Sequence, residues 1–201
     1  MRITVTDVKR EYSKKIPENI KTGELHVVLT VNASDEDFGT NVELTYSFSS
    51  GNDQELFSIN HLNGQIKVNK KLDYEYIPVH TLFVIAQDKG ESPNYNETLV
   101  EIYLIDVNDN PSQFVNFDFQ EMVSERESVG HTFTHVTAFD ANDGTNQQII
   151  YSLVEFNLPF GINSQTGDLY LTRKLDRETV NRYVFYVKAE NKGRPPMSSQ
   201  T

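Results

Sequence analysis

The residues best suited to chemistry in this 201-residue sequence are Asp106-Val107-Asn108-Asp109-Asn110-Pro111. The Asp106, Asn108, Asp109 and Asn110 side chains and the Val107 carbonyl offer five hard oxygen donors within five residues. Pro111 cannot continue a strand ladder and biases the residue before it toward extended backbone. Oxygen-only donors at this density suit Ca²⁺, which takes six to eight oxygens from carboxylates, amides and backbone carbonyls. Asp and Asn are equally at home in a polar connection between domains. The hexapeptide by itself fits either reading.

Composition narrows the choice of partners. Eighteen basic residues face 29 acidic ones, a net charge of −11, which argues against nucleic acid because nothing offsets repulsion from phosphates. No run of 18 apolar residues offers a membrane span, and the N-terminus lacks the charged-then-apolar pattern of a secretion signal. Met1 therefore reads as an expression start on an excised fragment. With no cysteine, disulfides, thiolate zinc sites and a cysteine nucleophile are excluded together. Two glycosylation sequons, at Asn32 and Asn96, are compatible with secretion.

The elements that must position the hexapeptide are legible as an internal repeat. Asp35-Glu36-Asp37-Phe38-Gly39-Thr40-Asn41, followed by Tyr46, returns as Asp140-Ala141-Asn142-Asp143-Gly144-Thr145-Asn146, followed by Tyr151. Leu72-Asp73-Tyr74-Glu75 returns as Leu175-Asp176-Arg177-Glu178, and Asn63-Gly64-Gln65-Ile66 as Thr166-Gly167-Asp168-Leu169. Ala86-Gln87-Asp88-Lys89-Gly90 returns as Ala189-Glu190-Asn191-Lys192-Gly193. The offsets are 105 for the first match and 103 for the other three, so the chain is two copies of one domain joined at the hexapeptide. Boundaries of 1–107, a linker of 108–111, and 112–201 follow.

Short apolar or alternating runs bounded by Gly, Asn, Asp and Pro mark strands: 26–31, 82–85 and 98–105 in copy one, 132–136, 168–171 and 183–187 in copy two. No segment carries a capped 3.6-residue period. The expected architecture is all-β, two tandem seven-stranded Greek-key sandwiches. Glu18 precedes Asp106 by 88 residues, whereas 88 residues beyond its counterpart Glu125 lies past Thr201. Copy two is thus expected to lack its last strand. Residues 1–8 read as a first strand of copy one or, by exchange between molecules, as a donated last strand.

Five motifs, in this order and spacing, resemble the calcium-binding motifs of extracellular cadherin repeats. They are Pro17-Glu18-Asn19, Asp35-x-Asp37-x-Gly39-x-Asn41, Leu72-Asp73-Tyr74-Glu75, Ala86-x-Asp88-x-Gly90 and the hexapeptide. The resemblance covers nearly the whole chain and leans toward protocadherin-like or Fat-like groups. It implies one calcium site from Glu18, Asp73, Glu75 and Asp109. A second would use Glu18, Glu75, Asp106, Asp109 and the Val107 carbonyl, with Asn142 bridging from copy two. A third would use Asn108, Asp140, Asn142 and Asn191 with the Asn110 and Asn146 carbonyls. Asn142 and Asn191 stand where copy one has Asp37 and Asp88, so the third site keeps only Asp140 as a carboxylate. Ligand charge sets calcium affinity, and two well-bound ions with a third weak or absent are expected. Asp35, Asp37, Asn41 and Asp88 at one outer end, and Glu125, Asp176 and Glu178 at the other, are further metal candidates that imply more repeats in the parent chain.

The resemblance implies an extracellular segment of a single-pass plasma-membrane protein in calcium-dependent adhesion or tethering. Its partners would be neighbouring repeats and a homophilic or heterophilic cadherin on an apposed cell, with no small-molecule substrate. A spacer or ligand-binding arm of a signalling receptor is the alternative, because no tryptophan is present for tryptophan strand exchange. Asp73 with Glu75, or Asp35 with Asp37, also has the makings of an acid/base pair for glycoside hydrolysis, but metal ligation accounts for the whole constellation. His131 and His135, four apart, suit a metal only on a helix, and they flank a strand-like run.

Overall fold

A computed structural model describes residues 11–23, 26–34, 43–90 and 92–201. The chain divides into two compact units, Met1–Val107 and Asn108–Thr201, and no α-helix occurs among the described residues. Residues 1–8 lie outside the described residues, and so does the question of whether they form a first or an exchanged strand.

The first unit has seven strands: β1 (Glu11–Pro17), β2 (Val27–Thr30), β3 (Thr45–Ser50), β4 (Phe57–Ile59), β5 (Gln65–Val68), β6 (Val79–Gln87) and β7 (Tyr95–Ile105). They form one sheet in the order β1-β7-β6-β3 and another in the order β2-β5-β4, so the chain changes sheet between β1 and β2, β2 and β3, β3 and β4, and β5 and β6. Period-two burial explains the assignment of the longest strands. His80, Leu82, Val84 and Ala86 of β6 and Thr98, Val100, Ile102 and Leu104 of β7 turn inward. The apolar ones among them pack with Val28, Phe57, Ile66 and Val68 into one core.

The second unit repeats this plan with β8 (Gln113–Phe114), β9 (Thr132–His135), β10 (Ala138–Phe139), β11 (Ile149–Leu153), β12 (Phe160–Ile162), β13 (Asp168–Leu171), β14 (Val187–Asn191) and β15 (Ser198–Gln200). Its sheets are β12-β13-β9, β11-β14-β15 and the short pair β10-β8. The repeat holds bond by bond. Val31 N donates to Gly64 O and Val136 N to Gly167 O, each at 3.0 Å. The Ala33 and Ala138 amides donate to the Tyr46 and Tyr151 hydroxyls at 3.1 and 2.9 Å. Gly64 and Gly167 have φ of +66° and +77°, and a Cβ on either would fall 2.2 or 2.3 Å from the Val31 or Val136 carbonyl. Only glycine serves at that turn.

Two features depart from the sequence expectations. The strand expected to be missing from the second unit is present for its first three residues, β15, which pairs antiparallel with β14. The run at 183–187 is strand only at Val187, where β14 begins. In the first unit the start of β6 is paired by β7 from Leu99 to Tyr103; in the second unit β15 pairs only with Lys188–Glu190 of β14. The Tyr186 amide donates instead to Glu155 Oε2 at 2.8 Å. Residues 118–124, the counterparts of β1, form no strand for the same reason, since β1 pairs with Leu99–Ile105.

His80 is 7 % exposed, its Nε2 has no hydrogen-bond partner among the described residues, and its ring meets Phe57 edge-on at 5.2 Å. Burial holds its pKa below the ordinary 6.5. The unfolded chain therefore binds the proton first, and stability is lost as pH falls below 6.5 toward the folded value. Chemical denaturation at about pH 7.5 and pH 5.5 should show the first unit weakening at the lower pH. A His80→Phe variant should lose that part of the pH dependence.

Candidate metal centre

The parallel pairing of β1 with β7 builds the acidic end of the first unit. Its register sets Pro17 opposite Ile105, and Glu18 N donates to Ile105 O at 3.2 Å, so Glu18 and Asp106 leave the sheet side by side. Glu18 is 2 % exposed. Its Oε1 accepts from Val107 N at 2.8 Å and its Oε2 from Tyr74 N at 2.7 Å. Leu72, fully buried, pins the Asp73–Glu75 turn to the core. Asp73 Oδ1 caps that turn by accepting from Tyr76 N at 3.0 Å. One oxygen each from Glu18, Glu75 and Asp106 lies within 4.8 Å of the others; Asp73 is not among them. Two like unit charges 4 Å apart repel by about 4 kcal/mol at the effective dielectric near a protein surface. Two carboxylates gathered around a buried third suit a hard divalent cation.

The second unit carries the same motif at its own far end. Glu125, Asp176 and Glu178 offer oxygens within 4.8 Å, all on exposed residues, and Arg177 N donates to Glu125 Oε2 at 2.9 Å, as Tyr74 N does to Glu18. The Thr179 hydroxyl, at 2.7 Å from Asp176 Oδ2, is the main group holding that carboxyl below its ordinary pKa. Asp88 is buried in a turn of its own. Gly90 N at 3.0 Å and the Asn94 amides at 3.1 and 3.2 Å donate to it, and the Gly90 bond leads in lowering its pKa. Asp35, Asp37 and Asn41 lie outside the described residues.

Asn108, Asn110, Asp140, Asn142 and Asn191 come together within the second unit. Asn108 Oδ1 accepts from Asn142 Nδ2 at 2.6 Å and Asn191 Nδ2 at 2.7 Å. The Asn110 carbonyl accepts from the same two nitrogens at 3.4 and 3.2 Å. Asp140 Oδ2 accepts from Asn191 Nδ2 at 3.0 Å and from the Ser112 hydroxyl at 2.9 Å. The side-chain NH₂ groups of Asn142 and Asn191 are thus directed at the Asn108, Asn110 and Asp140 oxygens that the resemblance gives to a third ion, and this arrangement does not fit a cation. Asp109 is exposed, and its Oδ1 accepts from Asn110 Nδ2 at 2.8 Å. Asp143 is exposed and turned to Gln147 Nε2 at 3.3 Å, and Asn146 N donates to Asp143 O at 3.1 Å.

Other sequence candidates are placed apart from these clusters. Asn32 is exposed, whereas Asn96 is half-buried within β7. His135 lies in β9 opposite Asp168, and His131 faces Glu127 at 3.5 Å.

The model of the cadherin domain matches residues 12–105 and 119–201. The chain belongs to the cadherin family. Among curated relatives it is 36 % identical over 196 residues to the protocadherin-like wing polarity protein stan of Drosophila melanogaster, covering 96 % of this chain and 6 % of that protein. It is 38 % identical over 194 residues to cadherin EGF LAG seven-pass G-type receptor 3 of Mus musculus, covering 95 % and 6 %. Among solved structures, mouse cadherin-23 EC22-24 superposes with a TM-score of 0.90 at 28 % identity, covering 98 % of this chain and 63 % of that one. The protocadherin GammaB4 extracellular domain gives 0.87 at 30 %, covering 99 % and 31 %. The chain thus spans a small fraction of its curated relatives. Both cadherin repeats are of the kind found in adhesion proteins and receptors, and they are structural modules, not enzymes. No helix among the described residues is long and apolar enough to cross a membrane.

Sequence reasoning passed over two participants in the second repeat. Ser112, 0 % exposed, carries no signal beyond its place after the proline. Gly193 was visible as the partner of Gly90, but its reason was not. A Cβ there would lie 2.1 Å from Asn108 Cγ, so the glycine admits the linker side chain. Gly193→Ala should therefore destabilise the second repeat by roughly 1–3 kcal/mol through overpacking, read as a lower urea midpoint.

Proposed function

We propose that the two cadherin repeats form a calcium-stiffened segment of an extracellular adhesion or tethering chain. The observation that carries this reading is the convergence of Glu75 and Asp106 on the buried carboxylate of Glu18. With them, Asp73, Asp109 and the Val107 carbonyl complete the proposed ligand set for two ions, and a third ion is weak or absent. Bound calcium would supply the positive charge that offsets the repulsion among these carboxylates.

The chain's own residues account for the coupling. Val107 N is held by Glu18, so the exit of the first repeat is fastened to its acidic end. Asn108, the next residue, is buried in the second repeat. A ligand set spread over Asp106, Val107 and Asp109 therefore spans the chain segment where one repeat ends and the next begins. Extracellular modules bind calcium with dissociation constants of roughly 10⁻⁴–10⁻³ M. At about ten times that constant each site adds roughly 1.4 kcal/mol to the bound state.

Placement on a membrane-anchored chain is part of the same proposal, single-pass in the sequence expectation and seven-pass in the relative so named. Neighbouring repeats and a homophilic or heterophilic cadherin are the proposed partners; the Asn32 and Asn96 sequons are proposed glycan sites.

Titration calorimetry of the 201-residue chain should register two calcium ions. Glu75→Ala or Asp106→Asn should weaken binding about tenfold or more, because ligand charge sets affinity. Small-angle scattering should show a longer, narrower distance distribution with calcium than with chelator. Identical profiles would sink the stiffening model. Sedimentation across calcium concentrations tests the adhesive arm: self-association supports a homophilic role, and a persistent monomer a spacer or heterophilic one.

A further inference from the structure

The second repeat solves a charge problem without charge. Asn191 sits in the same turn as Asp88, but the two residues use their terminal atoms differently. Asp88 closes its turn with both oxygens: Oδ1 takes Gly90 N, and Oδ2 takes Asn94 N and Nδ2. Asn191 closes the equivalent turn with Oδ1 alone, which accepts from Gly193 N at 3.3 Å and Met197 N at 2.9 Å. Those two backbone donors fix which way the carboxamide faces, because a nitrogen in that place would confront N–H groups. The remaining atom, Nδ2, is directed at Asn108 Oδ1, Asn110 O and Asp140 Oδ2.

Asn142 is oriented by a separate contact. Its Oδ1 accepts from Asn110 Nδ2 at 2.9 Å, which leaves its own Nδ2 for Asn108 Oδ1 and Asn110 O. Asn108 then completes the circuit by donating from Nδ2 to Asn191 Oδ1 at 3.1 Å and to the Pro195 carbonyl at 2.5 Å. Asn108, Asn142 and Asn191 are 7, 3 and 2 % exposed, so these bonds are made away from water. A buried polar network with its members satisfied holds a single arrangement.

We infer that the Asn142 and Asn191 amide groups occupy the role of a third cation, fastening residues 108–112 to the second repeat without metal. An aspartate at either position would bring oxygen against oxygen and need an ion between them. Asparagine brings N–H groups to the same oxygens and needs none. The second-repeat side of the linker is therefore built in permanently, and calcium dependence is confined to the first-repeat side. The inference rests on the calcium reading above only in naming the position a third site; the network itself stands on the second repeat alone.

Side-chain amide NMR of the full chain in EDTA tests it. The Asn142 and Asn191 NH₂ protons should exchange with solvent at least about tenfold more slowly than those of the exposed Asn181. They should also keep their shifts when calcium is added. Solvent-rate exchange in EDTA, or protection that appears only with calcium, would overturn the inference. In a second arm, Asn142→Asp/Asn191→Asp should bind one more calcium than the unaltered chain by calorimetry. It should also show an Asn108 NH₂ signal protected in calcium and unprotected in EDTA. An unchanged ion count with Asn108 still protected in EDTA would equally count against it. Because the first arm uses no metal, its failure is separable from failure of the first repeat to bind calcium.

Discussion

The buried carboxylate of Glu18 is the constraint on which the rest of the first repeat's acidic end depends. A charge at 2 % exposure is costly unless hydrogen bonds or counter-charge replace its water. Two backbone amides, Tyr74 N and Val107 N, do part of this. They also do something structural, because they come from turns 33 residues apart in the chain. One carboxylate thereby ties the Asp73–Glu75 turn to the exit of β7. Both acquire their positions from the same group that their own carboxylates repel. Tertiary structure stores that repulsion, and a cation suits it.

The two repeats show how much of a metal site belongs to the fold and how much to residue choice. The glycine arch at Gly64 and Gly167, the tyrosine hydroxyls at Tyr46 and Tyr151, and the turn after Ala86 and Ala189 recur with the same bonds. What differs is a few terminal atoms. Replacing a carboxylate oxygen by an amide nitrogen at Asn191 leaves the turn closed and reverses the polarity of the atom facing Asn108. A scaffold of this kind can exchange an ionic junction for a hydrogen-bonded one with little rebuilding.

Much of this was legible in the chain itself, for identifiable reasons. The repeat offset marked the two units, apolar or alternating runs marked much of β6 and β7, and the resemblance to cadherin motifs grouped Glu18, Glu75 and Asp106 although 57 and 31 residues separate them in turn. The run at 183–187 misled because alternation reports which face is buried, whereas a strand also needs a partner to bond. The amide network was out of reach for a related reason. Residue type shows that Asn142 and Asn191 lack charge, but only the orientation imposed by Gly193, Met197 and Asn110 shows which end of each amide meets the linker. Ser112 and the close approach of Asn108 to Gly193 likewise arise from packing between distant segments.

The parallel β1-β7 ladder carries a mechanical implication. Chain tension on this repeat enters before Glu11 and leaves after Ile105, at opposite ends of two strands that run the same way in register. Such a load slides the strands past each other. Every rung from Glu11–Leu99 to Pro17–Ile105 then resists together, whereas an antiparallel pair pulled from one end would peel open rung by rung. The last rung on the pulled side is also the one beside Glu18. The acidic cluster therefore sits where tension leaves the sheet, and whatever stabilises those carboxylates also clamps the end of the ladder.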